Sequence, residues 1–113
     1  MIVIKQSGKY WNKGSHGMDT KTLQQAEAQA DLCRVFNHPT RVLILWALAD
    51  RELSVGEIAA AVEASLQNTS QHLRLMKDKD ILTCRREGQT IYYRVADLRL
   101  LDRLGLAPIE KNL

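Results

Sequence analysis

The sequence predicts a mainly α fold with a small β-hairpin, and three observations carry that reading. Apolar residues recur at spacings of three and four through four successive segments between Asp19 and Lys79, the period of one helix face. Ser54-Val55-Gly56-Glu57 has the hydroxyl-to-carboxylate spacing of a capping box and opens the third of these segments. Ile81 to Arg86 and Ile91 to Val95 read as strands around Glu87-Gly88-Gln89-Thr90, a turn containing glycine. Helix, turn, helix and hairpin, in that order over residues 54–95, form the plan of a winged helix-turn-helix. Such a shape can lay one helix in a DNA major groove. With a leucine-rich last segment at 97–106, the expected fold is five helices and a two-stranded wing.

A chain of 113 residues, 45% hydrophobic, has enough apolar surface for one core and not for two. No apolar run approaches the ~18–20 residues that span a bilayer, and Met1 to Ile4 is too short for the apolar core of a signal peptide. A cytoplasmic protein is expected. Cys33 and Cys84 stand far apart with no CxxC, which excludes a disulfide framework and suits a reducing compartment.

The net charge of +3 is a property of one end. Residues 1–17 hold Lys5, Lys9 and Lys13 and no acid, and the remainder balances 13 basic against 13 acidic residues. Any nucleic-acid argument therefore rests on where charge sits. Leu66 to Ala96 is locally positive, with Arg74, Lys77, Lys79, Arg85, Arg86 and Arg94 against Asp78, Asp80 and Glu87. The excess is modest, and a dimer would double it.

Residues 1–17 lack helical period, and GSHGM at 14–18 resembles a cloning remnant with Met18 as the native start. We expect a tail outside the fold there; a basic arm on DNA backbone is the alternative. The first helix is expected over Asp19 to Phe36, capped by Asp19 or Thr20, with Leu23, Ala26, Ala30, Cys33 and Phe36 as a narrow buried stripe. Pro39 starts the second helix, which runs from Thr40 to Ala49 and is apolar nearly all round through Val42, Leu43, Ile44, Leu45, Trp46 and Leu48. That pattern puts it in the middle of the core. The third helix runs to about Val62, burying Val55, Ile58, Ala59 and Val62.

Ser65 caps the fourth helix, which ends near Lys79. Leu66, Thr69, Leu73 and Met76 share a face expected to pack inward. The opposite face carries Gln67, Asn68, Gln71, Arg74 and Lys77. Asn and Gln pair with adenine and Arg with guanine or phosphate, so this is a candidate recognition helix with its reading residues near the N-terminus. Ser70 and His72 join the candidate site. In the hairpin, Ile91, Tyr93 and Val95 are expected inward with Leu82 and Cys84, and Tyr92 and Arg94 outward. Arg85, Arg86 and Arg94 are candidate phosphate or minor-groove contacts. The plainer alternative for both faces is solvated charge. Asp97 to Leu106 holds Leu98, Leu100, Leu101, Leu104 and Leu106, more apolar surface than a small monomer buries. That surface suggests a subunit interface shared with the first helix. Residues 107–113 are expected as a tail.

Four stretches, HPTRVLILWAL at 38–48, ELSVGEIA at 52–59, TSQHLRLMKDKDIL at 69–82 and RREGQTIYYRV at 85–95, occur in the order found in one family. The chain resembles the arsenic-repressor (ArsR) family of winged-helix repressors over roughly residues 30–96. The resemblance implies a homodimer joined through the first and last helices and a partly palindromic DNA operator. It also implies release by an inducer. It does not bring the family's metal ligands. Ser54 and Gly56 stand where the third-helix site has cysteines, and the last helix has Asp97 and Asp102 but no histidine. Thiolate and imidazole are the donors such metals need, so no metal and no cofactor is expected. His72 matches a histidine common in the family's recognition helix, and His38 reads as structural.

The expected function is a homodimeric, sequence-specific DNA-binding transcriptional repressor, with the helix at 65–79 in the major groove and the wing at 81–95 beside it. Two alternatives stand. One is a winged-helix module that binds protein, which the charge balance suits. The other is a thiol-sensing repressor using Cys33 and Cys84, whose separation argues against a bridge between them. No nucleophile–base pair, phosphate loop or paired carboxylates point to an enzyme. The inducer is unknown.

Overall fold

A computed structural model describes residues 19–106; the expected tails at 1–17 and 107–113 lie outside the described residues. The chain divides into two compact units, one ending at Asn37 and one beginning at His38.

The first unit holds α1 (Thr20–Val35). Asp19 caps it, its Oδ1 accepting from the Thr22 N–H at 2.8 Å, and that bond holds the Asp19 carboxyl below the usual carboxylate range. The expected stripe is open to water rather than buried: Leu23 is 54% exposed, and Ala26, Ala30 and Cys33 are exposed too. A stripe this narrow, on a helix otherwise lined with Gln, Glu and Lys, offers one seam only.

The second unit contains α2 (Pro39–Leu48), β1 (Leu53–Ser54), α3 (Val55–Val62), α4 (Leu66–Asp78), β2 (Leu82–Glu87), β3 (Thr90–Val95) and α5 (Arg99–Arg103). Its core joins Ile44, Leu45 and Leu48 of α2 to Ile58 and Ala59 of α3. Leu73 and Met76 of α4 and Ile81, Leu82, Val95, Leu100 and Leu101 complete it. α2 is less central than its all-round apolarity suggested: Leu43 and Trp46 are exposed at 42% and 39%. A helix of ten residues meets its neighbours on one side, and the other side stays outside. On that outer side the Trp46 Nε1–H donates to the Leu106 carbonyl.

The capping box forms as the sequence demands. The Ser54 Oγ accepts from the Glu57 N–H at 3.2 Å, and Glu57 Oε1 accepts from the Ser54 N–H at 2.8 Å. α3 ends at Glu63, in the left-handed region at φ 56°, with the Ala64 N–H closing onto the Ala59 carbonyl at 3.0 Å. α4 ends in the same manner at Asp80, φ 61°. There the Asp80 and Ile81 N–H groups bond the Lys77 and Met76 carbonyls, both at 2.9 Å. This closure satisfies carbonyls the helix would otherwise leave open, and it tucks Ile81 into the core.

The wing is a three-stranded antiparallel sheet in the order β1-β3-β2, not a two-stranded hairpin. The two residues of β1 pair Leu53 with Tyr93 and Ser54 with Tyr92. The hairpin turn is tighter than expected, because Glu87 pairs with Thr90 and leaves only Gly88 and Gln89 between the strands. Gly88 sits at φ +65°, the sign that two-residue hairpin turns need at their first position. α5 is five residues rather than ten. It starts late because Asp97 turns its carboxylate onto the Arg99 N–H at 3.0 Å and onto the Arg99 guanidinium.

Thr69 is fully buried among the core residues of α4, and its hydroxyl has no hydrogen-bond partner. A buried unsatisfied hydroxyl carries its desolvation cost without return. Thr69→Val keeps the shape and removes the cost, so urea unfolding should show a gain of about 1 kcal/mol. A loss of stability would show that the hydroxyl is satisfied.

Candidate nucleic-acid interface

The start of α4 is fixed by Ser65, whose Oγ accepts from the Asn68 N–H at 3.0 Å. From that anchor the helix divides cleanly. Thr69, Leu73 and Met76 are fully buried. Gln67, Asn68, Gln71, Arg74 and Lys77 are all exposed on the face singled out from the sequence. Gln71 and Arg74, with Leu75, Asp78 and Lys79, line a depression of about 520 Å³ on that outer face. Ser70 is half-buried at its edge. Leu66 departs from its expected place: it is 60% exposed, not packed inward. The apolar stripe runs one turn past the neighbouring elements that could cover it.

His72 turns away from the reading face. Its Nδ1 accepts from the Arg41 Nε–H at 3.1 Å, and its ring meets that of His38 edge-on at 4.7 Å. Burial lowers its pKa, and the charges of Arg41 and His38 lower it further. A ring that accepts at Nδ1 is neutral with its proton on Nε2. His72 therefore ties α4 to the start of α2.

The hairpin register separates the three arginines. Residues paired across an antiparallel ladder share a face. Cys84 with Tyr93 and Arg86 with Ile91 lie on one face, Thr83 with Arg94 and Arg85 with Tyr92 on the other. The first is the face turned to α4. Burial pushes the Tyr93 phenol up and the neighbouring Cys84 adds to this, while Arg74 of α4 pulls it down. Arg86 is exposed on that side. Cys84 sits opposite Tyr93 as expected but is exposed, as is Cys33, and both thiols are free. Cys84 is two residues past the buried Leu82 on β2, where burial has already ended.

Arg85 and Arg94 face the other way. Arg85 grips Glu52 as a fork, Nε to Oε2 and Nη2 to Oε1 both at 2.9 Å, and Nη1 reaches Glu87 at 3.2 Å. Its guanidinium lies 4.7 Å from the centre of the Tyr92 ring. These partners raise the Arg85 pKa further above its ordinary value, and Arg85 holds the Glu52 carboxyl below its own. Arg94, exposed beside Glu52, lines a cleft of about 580 Å³ with residues 49–52 and 95–98. Arg85 is thus the clasp of the wing. The sequence carried no signal for that pairing, because the partners are 33 residues apart.

Among the described residues, no group of three or more His, Cys, Asp or Glu could hold a metal ion. No described helix is long and apolar enough to cross a membrane.

A helix–turn–helix whose second helix presents a polar face, pinned to a three-stranded wing, defines a winged helix-turn-helix protein. The model of the arsR family of bacterial regulatory proteins matches residues 38–83. The chain is similar to the HTH-type transcriptional regulator KmtR of Mycobacterium tuberculosis, 42% identical over 58% of this chain and 50% of that protein. It thus spans about half that relative's length. It is similar to a biofilm growth-associated repressor of Agrobacterium fabrum, 33% identical over 72% of each. A homodimeric winged helix-turn-helix DNA-binding domain from Mycobacterium bovis superposes with a TM-score of 0.67 at 27% identity, covering 81% of this chain and 88% of that one. The chain belongs to the arsR family.

The Arg85–Glu52 clasp should be sensitive to acid. A carboxyl whose folded pKa is depressed stabilises above its ordinary value, about 4.3. That contribution is lost as pH falls through the folded value. Hydrogen-exchange protection of the wing amides, relative to α3, should therefore drop between pH 6 and pH 3. In Glu52→Gln the wing should be less protected at pH 6 and show no such step. Equal wing protection at both pH values in the unaltered protein would sink the idea.

Proposed function

We propose that this chain is a homodimeric, sequence-specific DNA-binding transcriptional repressor of the cytoplasm, with residues 18–106 as its winged helix-turn-helix domain. α4 enters the major groove of a partly palindromic operator, and the wing lies on the adjacent backbone or minor groove. An inducer of unidentified chemistry lowers the affinity. The observation that carries this reading is the exposed set Gln67, Asn68, Gln71 and Arg74 on one capped helix, with Arg86 exposed on the wing. Amide side chains match adenine edges and guanidinium matches guanine. Family membership and the repressor among its relatives support the biological role.

The contact set is narrower than the ten residues singled out from the sequence. Gln67, Asn68, Gln71, Arg74 and Lys77 read or touch DNA directly, with Ser70 at the edge and Arg86 on phosphate. His72 and Arg85 hold the helix and the wing in place. Dimerisation through α1 and the C-terminal helix would cover Leu23 and Leu98, exposed at 54% and 48%. A protein-binding module remains the second reading, supported by the balanced charge outside residues 1–17.

Random-site selection tests the proposal: an inverted repeat should be enriched, and no enriched motif would overturn it. Arg86→Ala should weaken binding to all sequences and shallow the salt slope by about one unit. Arg94→Ala, on the far face, should change that slope less. Gln71→Ala should instead relax preference at one base position, by about 1–3 kcal/mol. A module that binds protein alone would show no affinity for mixed DNA even at low salt.

A further inference from the structure

Leu66 is the most exposed of the large hydrophobic residues among the described residues, at 60%. It is also the first residue of α4, immediately after the capping Ser65. A leucine in water at that place gains nothing for the fold. The Ser65 cap holds the first turn, so the side chain is presented from an ordered backbone.

Its direction follows from helix geometry. Successive residues turn by ~100° about the axis at 3.6 residues per turn. Leu66, Ser70 and Arg74 follow one another at intervals of four and form one edge of the outward face. Gln67 and Gln71 lie further round the same face. Thr69, Leu73 and Met76, all buried, lie on the other side of Leu66. Leu66 therefore stands at the junction of the buried stripe and the reading face, at the end of the helix that enters the groove in this docking mode. The sequence spacing assigned it to the core, and its exposure assigns it to the interface.

The chemistry of the groove then selects its partner. A leucine side chain neither donates nor accepts a hydrogen bond. The major-groove edges of guanine, cytosine and adenine offer polar atoms, and thymine alone adds an apolar group, the C5-methyl. Against the other three edges Leu66 would desolvate polar atoms without replacing their water. We propose that Leu66 is a specificity-determining residue that packs against a thymine methyl in each half-site. This rests on the DNA-reading function above.

Uridine substitution isolates that methyl. Within the motif the protein itself selects, each thymine is replaced in turn by deoxyuridine, which removes the C5-methyl alone. Binding is measured for the unaltered protein and for Leu66→Ala. At one thymine per half-site the unaltered protein should lose about fourfold in affinity per half-site, the scale of burying one methyl-sized group. Leu66→Ala should be indifferent to uridine at that position and keep the penalties at every other thymine. Leu66→Gln, selected afresh, should replace thymine there by adenine, whose N6 and N7 a glutamine pairs, and keep the rest of the motif. Circular dichroism of each variant checks that the helix is intact, and the Gln variant reads a gained preference that an unfolded protein cannot give. If Leu66→Ala keeps the full uridine penalty at every thymine, or Leu66→Gln keeps the original base, Leu66 has no such role. A protein that selects no motif at all overturns the DNA-reading function instead.

Discussion

The position of the wing depends on two residues of β-structure. β1 pairs Leu53 and Ser54 with Tyr93 and Tyr92, and Ser54 is at once the end of that strand and the cap of α3. One residue thus joins the sheet to the first helix of the helix–turn–helix. A hairpin alone is marginal in water; a third strand anchored to a capped helix gives it a fixed origin. The Arg85–Glu52 fork closes the same junction from the side-chain level, because Glu52 directly precedes β1. An exposed ion pair contributes little by itself. Here it is bidentate, shared with Glu87 and laid on Tyr92, so its value is directional. It ties β2 to the residue before β1.

Where the controlling physics was local, the sequence was legible. Caps depend on residues three apart, so Asp19, Ser54 and Ser65 announce their helices, and each makes the expected bond. The hairpin could be read from alternation about Gly88. The polar face of α4 could be read because the buried and exposed sets differ in chemistry as well as spacing.

Tertiary geometry decided the rest. Two residues of β1 carry no period. Arg85 looked like a phosphate contact because charge identifies what a side chain can bind, not what already binds it. Leu66 has the spacing of a core residue, yet burial requires a neighbour to cover it, and the stripe outlasts its neighbours. Cys84 follows the same logic: sharing a strand face with the buried Leu82 is not itself burial.

The same junction bears on sensing. The family resemblance places cysteine ligands where this chain has Ser54 and Gly56. The Ser54 oxygen accepts the Glu57 N–H while its own N–H donates to Glu57. A thiol is a weak acceptor, so a cysteine there would trade a good cap for a ligand. Gly56 offers no side chain, and the space around it is open. At this position the chain has a capping box that joins α3 to the wing sheet, and no thiolate donor. Under the proposed function, a signal that loosens the DNA grip would act on other contacts of the same unit: β1, the Arg85–Glu52 fork, or the His72–Arg41 bond between α4 and α2. β1 and the fork tie the wing to the start of α3, and the His72–Arg41 bond ties α4 to α2. Under the proposed DNA-reading function, weakening any one of them would cost DNA affinity without touching a side chain assigned to the bases.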